Sequence, residues 1–239
     1  MIIISRRKLA VFLLFVLLAG IASLSSIPDG TEVFSGKTTG RIIIDAGHGY
    51  PDGGAIGITG TIESDLNLKI ALYLQKALSQ KGYTVIMTRT DENSLSDSGK
   101  SLSEKKRSDM NKRLKIINGS GADMFVSIHI NKFSDSRYRG AQVIYSDNFV
   151  QSELLASSIQ TELCKLSDNM SKRKENKAPK NIFLLKNANI PAGIVECGFS
   201  SNFAEEQLLL TEKYQKELAN SIAAGIKEYY NSEKERQSQ

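Results

Sequence analysis

The 239-residue sequence predicts an α/β fold, a single domain with a mostly parallel, twisted sheet and helices on both faces. Short apolar runs rich in β-branched residues alternate with longer segments whose apolar residues recur at helical spacing. The 41% hydrophobic content can fill one core, and the length is short for two substantial domains. Because open α/β sheets bind ligands beyond the carboxyl ends of their strands, residues that follow the strands are the candidates for function.

Residues 1–26 are predicted to be a signal peptide or a membrane anchor. Three consecutive cations, Arg6, Arg7 and Lys8, precede an apolar run from Leu9 to Leu24. Neither of the two pairs of small residues near the end of this run, Gly20 with Ala22 and Ser23 with Ser25, is a clean Ala-x-Ala peptidase site. Apolar residues at 2–4 lengthen the run towards a bilayer span, so cleavage and anchoring both stay open. Positive charge before the run predicts that the rest of the chain is exported. Residues 27–40 are expected to be a linker.

The first part of the presumed domain is predicted to contain a strand, a long loop, a helix and a second strand, in that order. Arg41–Ile44 is an apolar strand, and the glycines between Gly47 and Gly60 predict a long turn-rich loop. A helix is expected from about Glu63, with Lys81-Gly82 as its stop. The β-branched segment Tyr83–Thr88 is expected to be the next strand.

The middle of the chain repeats this alternation. Ser101-Leu102-Ser103-Glu104 matches a capping box, which predicts a helix that ends at Asn118-Gly119. Strands are expected at Met124–His129 and Ala141–Tyr145, and the apolar spacing across Leu154–Leu163 predicts a third helix.

The last third begins with the basic segment Ser167–Lys180, which we expect to be a loop, since a run of charges is most often a solvated face. Phe183–Leu185 and Gly193–Val195 are expected to be short buried strands. The catalytic domain is expected to span 41–230, and it closes with two helices followed by a fraying polar tail: 203–210, 214–230 and 231–239.

The composition argues against a nucleic-acid partner and against a disulfide bond. The net charge of +5 includes the three N-terminal cations, so the exported part carries little net charge, and we expect no nucleic-acid partner. Cys164 lies on a predicted helix and Cys197 in an apolar stretch. We expect both thiols to be free rather than bridged, because buried free cysteine behaves as a small apolar residue.

Three polar residues follow apolar strands and are expected at one edge of the sheet. His48 and His129, which are the two histidines of the chain, come after the runs Ile42–Ile44 and Met124–Ile128. Glu196 stands in a third apolar segment. Since the carboxyl ends of parallel strands share one edge, the fold alone brings these residues together.

Two imidazoles at one edge predict a zinc site. Zinc in hydrolases takes three protein ligands and leaves a fourth position open. Glu63 is the best third ligand, because its helix starts at the edge that carries His48. Asp45 and Asp65 are rival ligands, and Asp45 is alternatively a group that orients a ligand through a hydrogen bond.

Glu196 is the candidate base for this zinc site. It is a lone carboxylate among apolar neighbours, a setting that raises the pKa of a carboxyl above that of an exposed glutamate. The alternative is a structural carboxylate with a buried partner. A third use of the glycine-rich loop, as a phosphate cradle, is disfavoured because the loop lacks the lysine and spacing of a P-loop.

Several motifs in order resemble the zinc-dependent N-acetylmuramoyl-L-alanine amidases of the third amidase family. The resemblance runs from about Arg41 to Tyr230, and a bare catalytic domain behind a signal or anchor segment looks most like the germination-specific, spore-cortex branch. The matching segments are Ile44–Gly49, Gly53–Ala55, Glu63 with Asn67-Leu68, Thr88-Arg89, Ala122–Asn131 and Val195–Asn202.

The resemblance implies one Zn²⁺ per chain, held by His48, Glu63 and His129, with Glu196 as the catalytic glutamate. Asp45 and Asn131 are the candidates for groups that orient the ligands. The implied substrate is peptidoglycan, cut between the lactyl group of muramic acid and the L-alanine of the stem peptide. In the cortex branch this cut prepares the muramic acid for its δ-lactam.

The same resemblance places the enzyme in the cell wall, the spore cortex or the space between the spore membranes. Ile130 departs from the family pattern, since many relatives have a small residue there. A zinc peptidase, a glycan deacetylase and a non-catalytic wall-binding or activator module are the competing interpretations. Because the ligands come from distant segments, we also expect an accessory protein to aid zinc binding.

Overall fold

The computed structural model describes residues 39–99, 101–166 and 173–238. The predicted signal or anchor segment, nearly all of the linker and residues 167–172 of the basic loop lie outside the described residues. Within the described part of the chain, no helix combines the length and the apolar character that crossing a bilayer requires.

The core of the molecule is a six-stranded sheet, and its strand order is β2-β1-β3-β6-β4-β5. Its strands are β1 (Arg41–Ala46), β2 (Thr84–Met87), β3 (Met124–Asn131), β4 (Gln142–Tyr145), β5 (Asn176–Lys177) and β6 (Ala192–Phe199). The β6–β4 pair is antiparallel and the other neighbours are parallel. The predicted mostly parallel α/β sheet is therefore confirmed.

Helices cover both faces of this sheet, as the sequence predicts. They are α1 (Glu63–Ser79), α2 (Leu102–Gly119), α3 (Val150–Leu163), α4 (Phe183–Asn187), α5 (Phe203–Leu209) and α6 (Glu212–Gln237). Ile42 and Ile44 of β1 belong to the core built with α1, α3 and α6. Ile43 points to the opposite face, where α2 and α4 complete a second core. This alternation follows from the two-residue period of a strand.

Three predicted elements differ from the structure. The basic segment 167–180 was expected to be a loop, yet Asn176–Lys177 within it form the short strand β5, which pairs with β4. Phe183–Leu185, expected to be a strand, is the start of the short helix α4, and Leu184 and Leu185 are buried under it. The prediction was wrong because a short apolar run does not distinguish a buried strand from a buried helical turn. The final helix continues to Gln237 rather than ending at Tyr230, and the capping box at Ser101 and Glu104 is confirmed.

Both cysteines are free, as predicted. Cys197 is fully buried in the core, and burial raises the pKa of its thiol well above the usual range. Cys164 follows α3 and is half-buried. The thiol of Cys197 therefore serves packing rather than chemistry.

Candidate metal centre

Three side chains from separate segments meet at the carboxyl edge of the sheet. His48 lies in the loop after β1, Glu63 is the first residue of α1, and His129 lies in β3. Nδ1 of His129 is 2.9 Å from Oε1 of Glu63, and Nε2 of His48 is 3.4 Å from the same oxygen. One nitrogen or oxygen of each residue lies within 4.8 Å of the others, so the three could hold a metal ion together.

The pairing of β1 with β3 brings the two histidines together. The strands are parallel and in register from Ile42 opposite Met124 to Ala46 opposite Ile128, so their carboxyl ends are neighbours. The imidazole rings, which follow these ends, lie 5.0 Å apart between centroids with an interplanar angle of 74°. Two edge-to-face rings can each direct a nitrogen to one point.

Glycine is required at two positions of the loop that carries His48. A Cβ atom on Gly47 would lie 2.3 Å from the ring of His129. Gly54 has a φ of 72°, and a Cβ there would lie 2.6 Å from Oε2 of Glu63. His48 itself has a left-handed backbone with a φ of 61°. The glycine-rich loop therefore lets the backbone pass close to the donor groups.

The carboxylate of Glu63 is fixed in place on both oxygens. Oε1 accepts hydrogen bonds from the side-chain amide of Asn67 at 3.3 Å and the backbone N–H of Ile130 at 3.3 Å. Oε2 accepts a bond of 2.8 Å from the backbone N–H of Ala55. The side chain is 6% exposed, so this anion is desolvated and already oriented towards the histidines.

The electrostatics at the meeting point favour positive charge. Burial works to raise the pKa of Glu63, but hydrogen bonds from His129 and His48 outweigh burial and hold that pKa far below its usual range. Burial works to lower the pKa of His48, yet Glu63 and Asp52 together raise it above its ordinary value. A site that favours an imidazolium also favours a bound cation.

Glu196 lies beside His129 on the neighbouring strand of the sheet. It occupies β6, and its Cα pairs in register with that of His129 in β3. Oε2 of Glu196 is buried, and its carboxylate makes no hydrogen bond or ion pair within the described residues. Burial, reinforced by the negative charge of Glu63, raises the pKa of Glu196 above its usual range. These observations speak against a partnered structural carboxylate.

Comparison with known proteins places this arrangement in a family. Residues 42–228 match the Amidase_3 family, described as N-acetylmuramoyl-L-alanine amidase. The chain belongs to this amidase family. A curated relative, the germination-specific N-acetylmuramoyl-L-alanine amidase of Bacillus subtilis (strain 168), is 37% identical over 204 residues, which cover 84% of this chain and 85% of the relative. The predicted resemblance, including its germination-specific branch, is confirmed.

Solved structures support the same assignment. The CwlD amidase from Clostridioides difficile, solved in complex with the GerS lipoprotein, is 40% identical with a TM-score of 0.78, covering 81% of this chain and 99% of that chain. The catalytic domain of the amidase CwlV from Bacillus (Paenibacillus) polymyxa var. colistinus is 29% identical with a TM-score of 0.67, covering 80% of this chain and 98% of that one.

In this amidase, a carboxylate not predicted from the sequence orients His48. Oδ2 of Asp52 lies 3.1 Å from Nδ1 of His48, while Nζ of Lys106 lies 3.0 Å from Oδ1 of Asp52. A proton on Nδ1 held by Asp52 would leave Nε2, the ring nitrogen that lies near Glu63, available to bind a metal ion. The only sequence signal for Asp52 is its position four residues after His48, and an irregular loop gives that spacing no meaning.

Asp45, predicted as a rival ligand or an orienting group, lies beneath the metal centre. It is fully buried, and it accepts hydrogen bonds from Arg113, from the hydroxyl of Ser127 and from that of Thr88 at 2.6 Å. Burial works to raise its pKa, but Arg113 and the two hydroxyls lower the pKa of Asp45 to about 2. Asp45 therefore supports the edge of the sheet as a buried ion-pair partner.

Two further candidates also lie apart from the donor cluster. Asp65, the second rival ligand, is exposed on the outer side of α1. Asn131 contributes its backbone carbonyl, which accepts a hydrogen bond of 2.9 Å from the N–H of Ser200. Within the described part of the chain, the Asn131 side chain makes no hydrogen bond to any of the three proposed metal ligands. Asn67, which the sequence indicated only as part of a family motif, contacts Glu63 directly.

Two buried arginines hold the backbone that leads to His48. Arg113 of α2 donates to the carbonyl oxygens of Ala46 and His48. Arg89 donates from Nε to the carbonyl of Ala46 at 2.9 Å and from Nη2 to that of Gly47 at 2.9 Å. The turn after β1 therefore depends on guanidinium groups that satisfy carbonyls lacking a sheet partner.

Proposed function

We propose that this amidase is a zinc-dependent hydrolase that cleaves the amide between the lactyl group of N-acetylmuramic acid and the L-alanine of the stem peptide in peptidoglycan. The observation that carries the proposal is the donor set at the carboxyl edge. His48, Glu63 and His129 offer ligand atoms within 4.8 Å of one another, next to the unpartnered carboxylate of Glu196. Membership of the amidase family supplies the bond class.

The donor chemistry fits zinc. Two imidazole nitrogens and one carboxylate oxygen form the kind of three-ligand set that leaves a position open for catalysis. The Asp52 contact to His48 supplies the hydrogen bond that such a ligand needs on its other nitrogen. When bound, zinc would act as a Lewis acid that activates water and polarises the amide carbonyl.

Glu196 moves the proton in this proposal. Hydrolysis forms a C–O bond from water to the lactyl carbonyl carbon and breaks the C–N bond to L-alanine. The proton that water loses goes to the Glu196 carboxylate and then to the leaving amine nitrogen. The raised pKa of Glu196 brings its proton affinity closer to that required for both transfers.

The biological setting that we propose is the spore cortex, where this cut is a step towards muramic δ-lactam. Support comes from relatives of the chain, which include the germination-specific amidase and a sporulation-specific amidase of Bacillus subtilis (strain 168). Action on peptidoglycan requires export, which agrees with the predicted N-terminal signal or anchor segment.

We also propose that an accessory protein stabilises the zinc-loaded form. The CwlD amidase from Clostridioides difficile was solved in complex with the GerS lipoprotein, which supports a partner of this kind. Dialysis of the purified chain against a chelator tests the idea. Loss of zinc that a co-expressed partner prevents would support it, whereas retention of stoichiometric zinc by the isolated chain would contradict it.

Product analysis tests the proposed reaction. Digestion of purified peptidoglycan by the full chain is expected to release intact stem peptides with free N-terminal L-alanine. New D-amino-acid termini would identify a peptidase, and released acetate would identify a deacetylase. Binding to peptidoglycan without any new ends would identify a non-catalytic module, and each of these three results would overturn the proposal.

A further inference from the structure

A cavity of about 320 Å³ opens beside the proposed zinc site, and its occupant can be inferred from its shape and charge. His48 and His129 form part of its lining. Leu102 of α2 and Phe183 of α4 also line it, and both side chains are partly exposed, so they form an apolar entrance. The cavity therefore leads from solvent to two of the three proposed metal ligands, His48 and His129, and its volume is in the range of a small-ligand pocket.

The inner end of this cavity is closed by buried side chains. Arg113, Asp45 and Ser127 line it and are each at most 1% exposed, and Ile194 of β6 lies beside them. A glycan strand is a continuous polymer and needs a groove that is open at both ends. A stem peptide is a branch with a free end, so it can enter a cavity with a closed floor.

The charges of the cavity lining also distinguish between the glycan strand and the stem peptide as occupants. Arg113 pairs with both Asp45 and Asp109, and Lys106 pairs with Asp52. Lys105 of α2 is half-buried, lines the cavity and carries no ion pair within the described residues. One cation thus remains available for an anionic group of a ligand.

Only one arm of the proposed substrate has such a group. The lactyl carboxyl of muramic acid is consumed in the scissile amide, so the glycan side is uncharged. The stem peptide carries free carboxylates, and its alanine methyl groups suit the apolar entrance. Charge and shape therefore both favour the peptide.

We propose that this cavity binds the stem peptide on the leaving side of the scissile amide, and that Lys105 determines specificity by pairing with a peptide carboxylate. The inference rests on the proposed function, because it assumes cleavage next to L-alanine. Lys105 acts on substrate binding and leaves the zinc ligands untouched.

The test compares Lys105→Met with Lys115→Met, a variant that removes the same charge from an exposed position of α2 outside this cavity. Each full-length protein digests two preparations of peptidoglycan: native sacculi, and sacculi whose carboxylates have been converted to methylamides with carbodiimide and methylamine. The rate at which stem peptides with free N-terminal L-alanine are released is measured over a range of sacculus concentrations, and zinc content is measured in parallel.

On native sacculi, Lys105→Met is expected to lower kcat/KM about tenfold, mainly through KM, because one charged hydrogen bond is lost. On methylamidated sacculi, Lys105→Met and the parent protein should perform alike, and Lys115→Met should match the parent on both preparations. Zinc content should be the same in all three proteins.

An equal loss of kcat/KM for Lys105→Met on the two preparations, or no loss on either, would overturn the inference. The proposed function would still be supported if the parent released stem peptides with free N-terminal L-alanine. Failure of the parent to release stem peptides with free N-terminal L-alanine from native sacculi would overturn both.

Discussion

The two histidines of the proposed metal centre reach the same point from different kinds of backbone. His129 lies in strand β3, which is paired with β1 on one side and with β6 on the other, and the register with β6 shifts only after His129. His48 lies in an irregular loop with a left-handed backbone. The sheet side of the centre, His129 and Glu196, is positioned by strand register. The loop side, His48 and Asp52, is positioned by polar side chains beneath it.

This difference shows where a substitution acts. On the sheet side, hydrogen bonds between the strands hold the backbone independently of the polar side chains. Replacing a polar side chain there therefore changes the chemistry of the site and not its geometry. On the loop side, carbonyls of Ala46, Gly47 and His48 depend on Arg89 and Arg113, so replacing an arginine changes the geometry and the stability as well.

Glu196→Gln should have the largest effect, and only on chemistry. A neutral amide cannot accept the proton from water, so turnover of peptidoglycan should fall about a thousandfold or more. Zinc content, peptidoglycan binding and the unfolding transition should stay at parental levels. Glu228→Gln, on the exposed side of α6, is the matched control and should retain full turnover. Unchanged turnover in Glu196→Gln would show that the base is another group.

Arg113→Met tests the loop side through stability. The substitution leaves the buried carboxylates of Asp45 and Asp109 without their cation, which should cost about 3–5 kcal/mol in the free energy of unfolding. Denaturant unfolding followed by circular dichroism measures the loss. Lys112→Met removes the exposed pair with Asp97 and should cost at most about 1 kcal/mol. Similar losses in the two variants would contradict the role of the buried network.

Acid should weaken the same network in a defined pH window. The folded-state pKa of Asp45 is about 2, below its ordinary value of 3.8, so its stabilising effect is present above pH 4 and is lost as the pH falls towards 2. The difference corresponds to about 2 kcal/mol. Unfolding of metal-free protein should therefore show a steeper acid dependence in the parent than in Asp45→Asn, and parallel curves would disprove the assignment.

Asp52→Asn should have the smallest of these effects. Loss of the carboxylate weakens the hydrogen bond that orients His48, and zinc affinity is expected to fall about tenfold, as measured by competition with a chelator. Asp135→Asn removes a partly exposed carboxylate that pairs with Arg137, and it should leave zinc affinity unchanged. Equal affinities for the parent and Asp52→Asn would show that the loop orients His48 without help.

The sheet side could be predicted from sequence for a physical reason. Apolar runs identify β1, β3 and β6, and parallel pairing then places His129 and Glu196 at one edge without knowledge of any loop. Glu63 could be predicted because its helix had to start at the same edge. The boundaries of α1 and α2 also follow from local signals, namely the Lys81-Gly82 stop and the capping box at Ser101.

The loop side could not be predicted in the same way. Arg113 is nine helical residues beyond Glu104 and looks like an ordinary surface cation in the sequence, yet it is completely buried. Asp52 becomes an orienting group only when the glycine-rich loop has folded around His48. The role of Arg113 depends on contacts between segments far apart in sequence, and that of Asp52 depends on the fold of an irregular loop. No local pattern of residue types encodes either role.

Zinc content of the purified chain after equilibration with zinc tests the central claim most directly. The parent protein should hold one zinc ion per chain, and His48→Ala and His129→Ala should each lose it, because ligands from the loop side and the sheet side are both required. Circular dichroism should confirm that the variants remain folded. Stoichiometric zinc in either folded variant would contradict the claim that these histidines hold the metal.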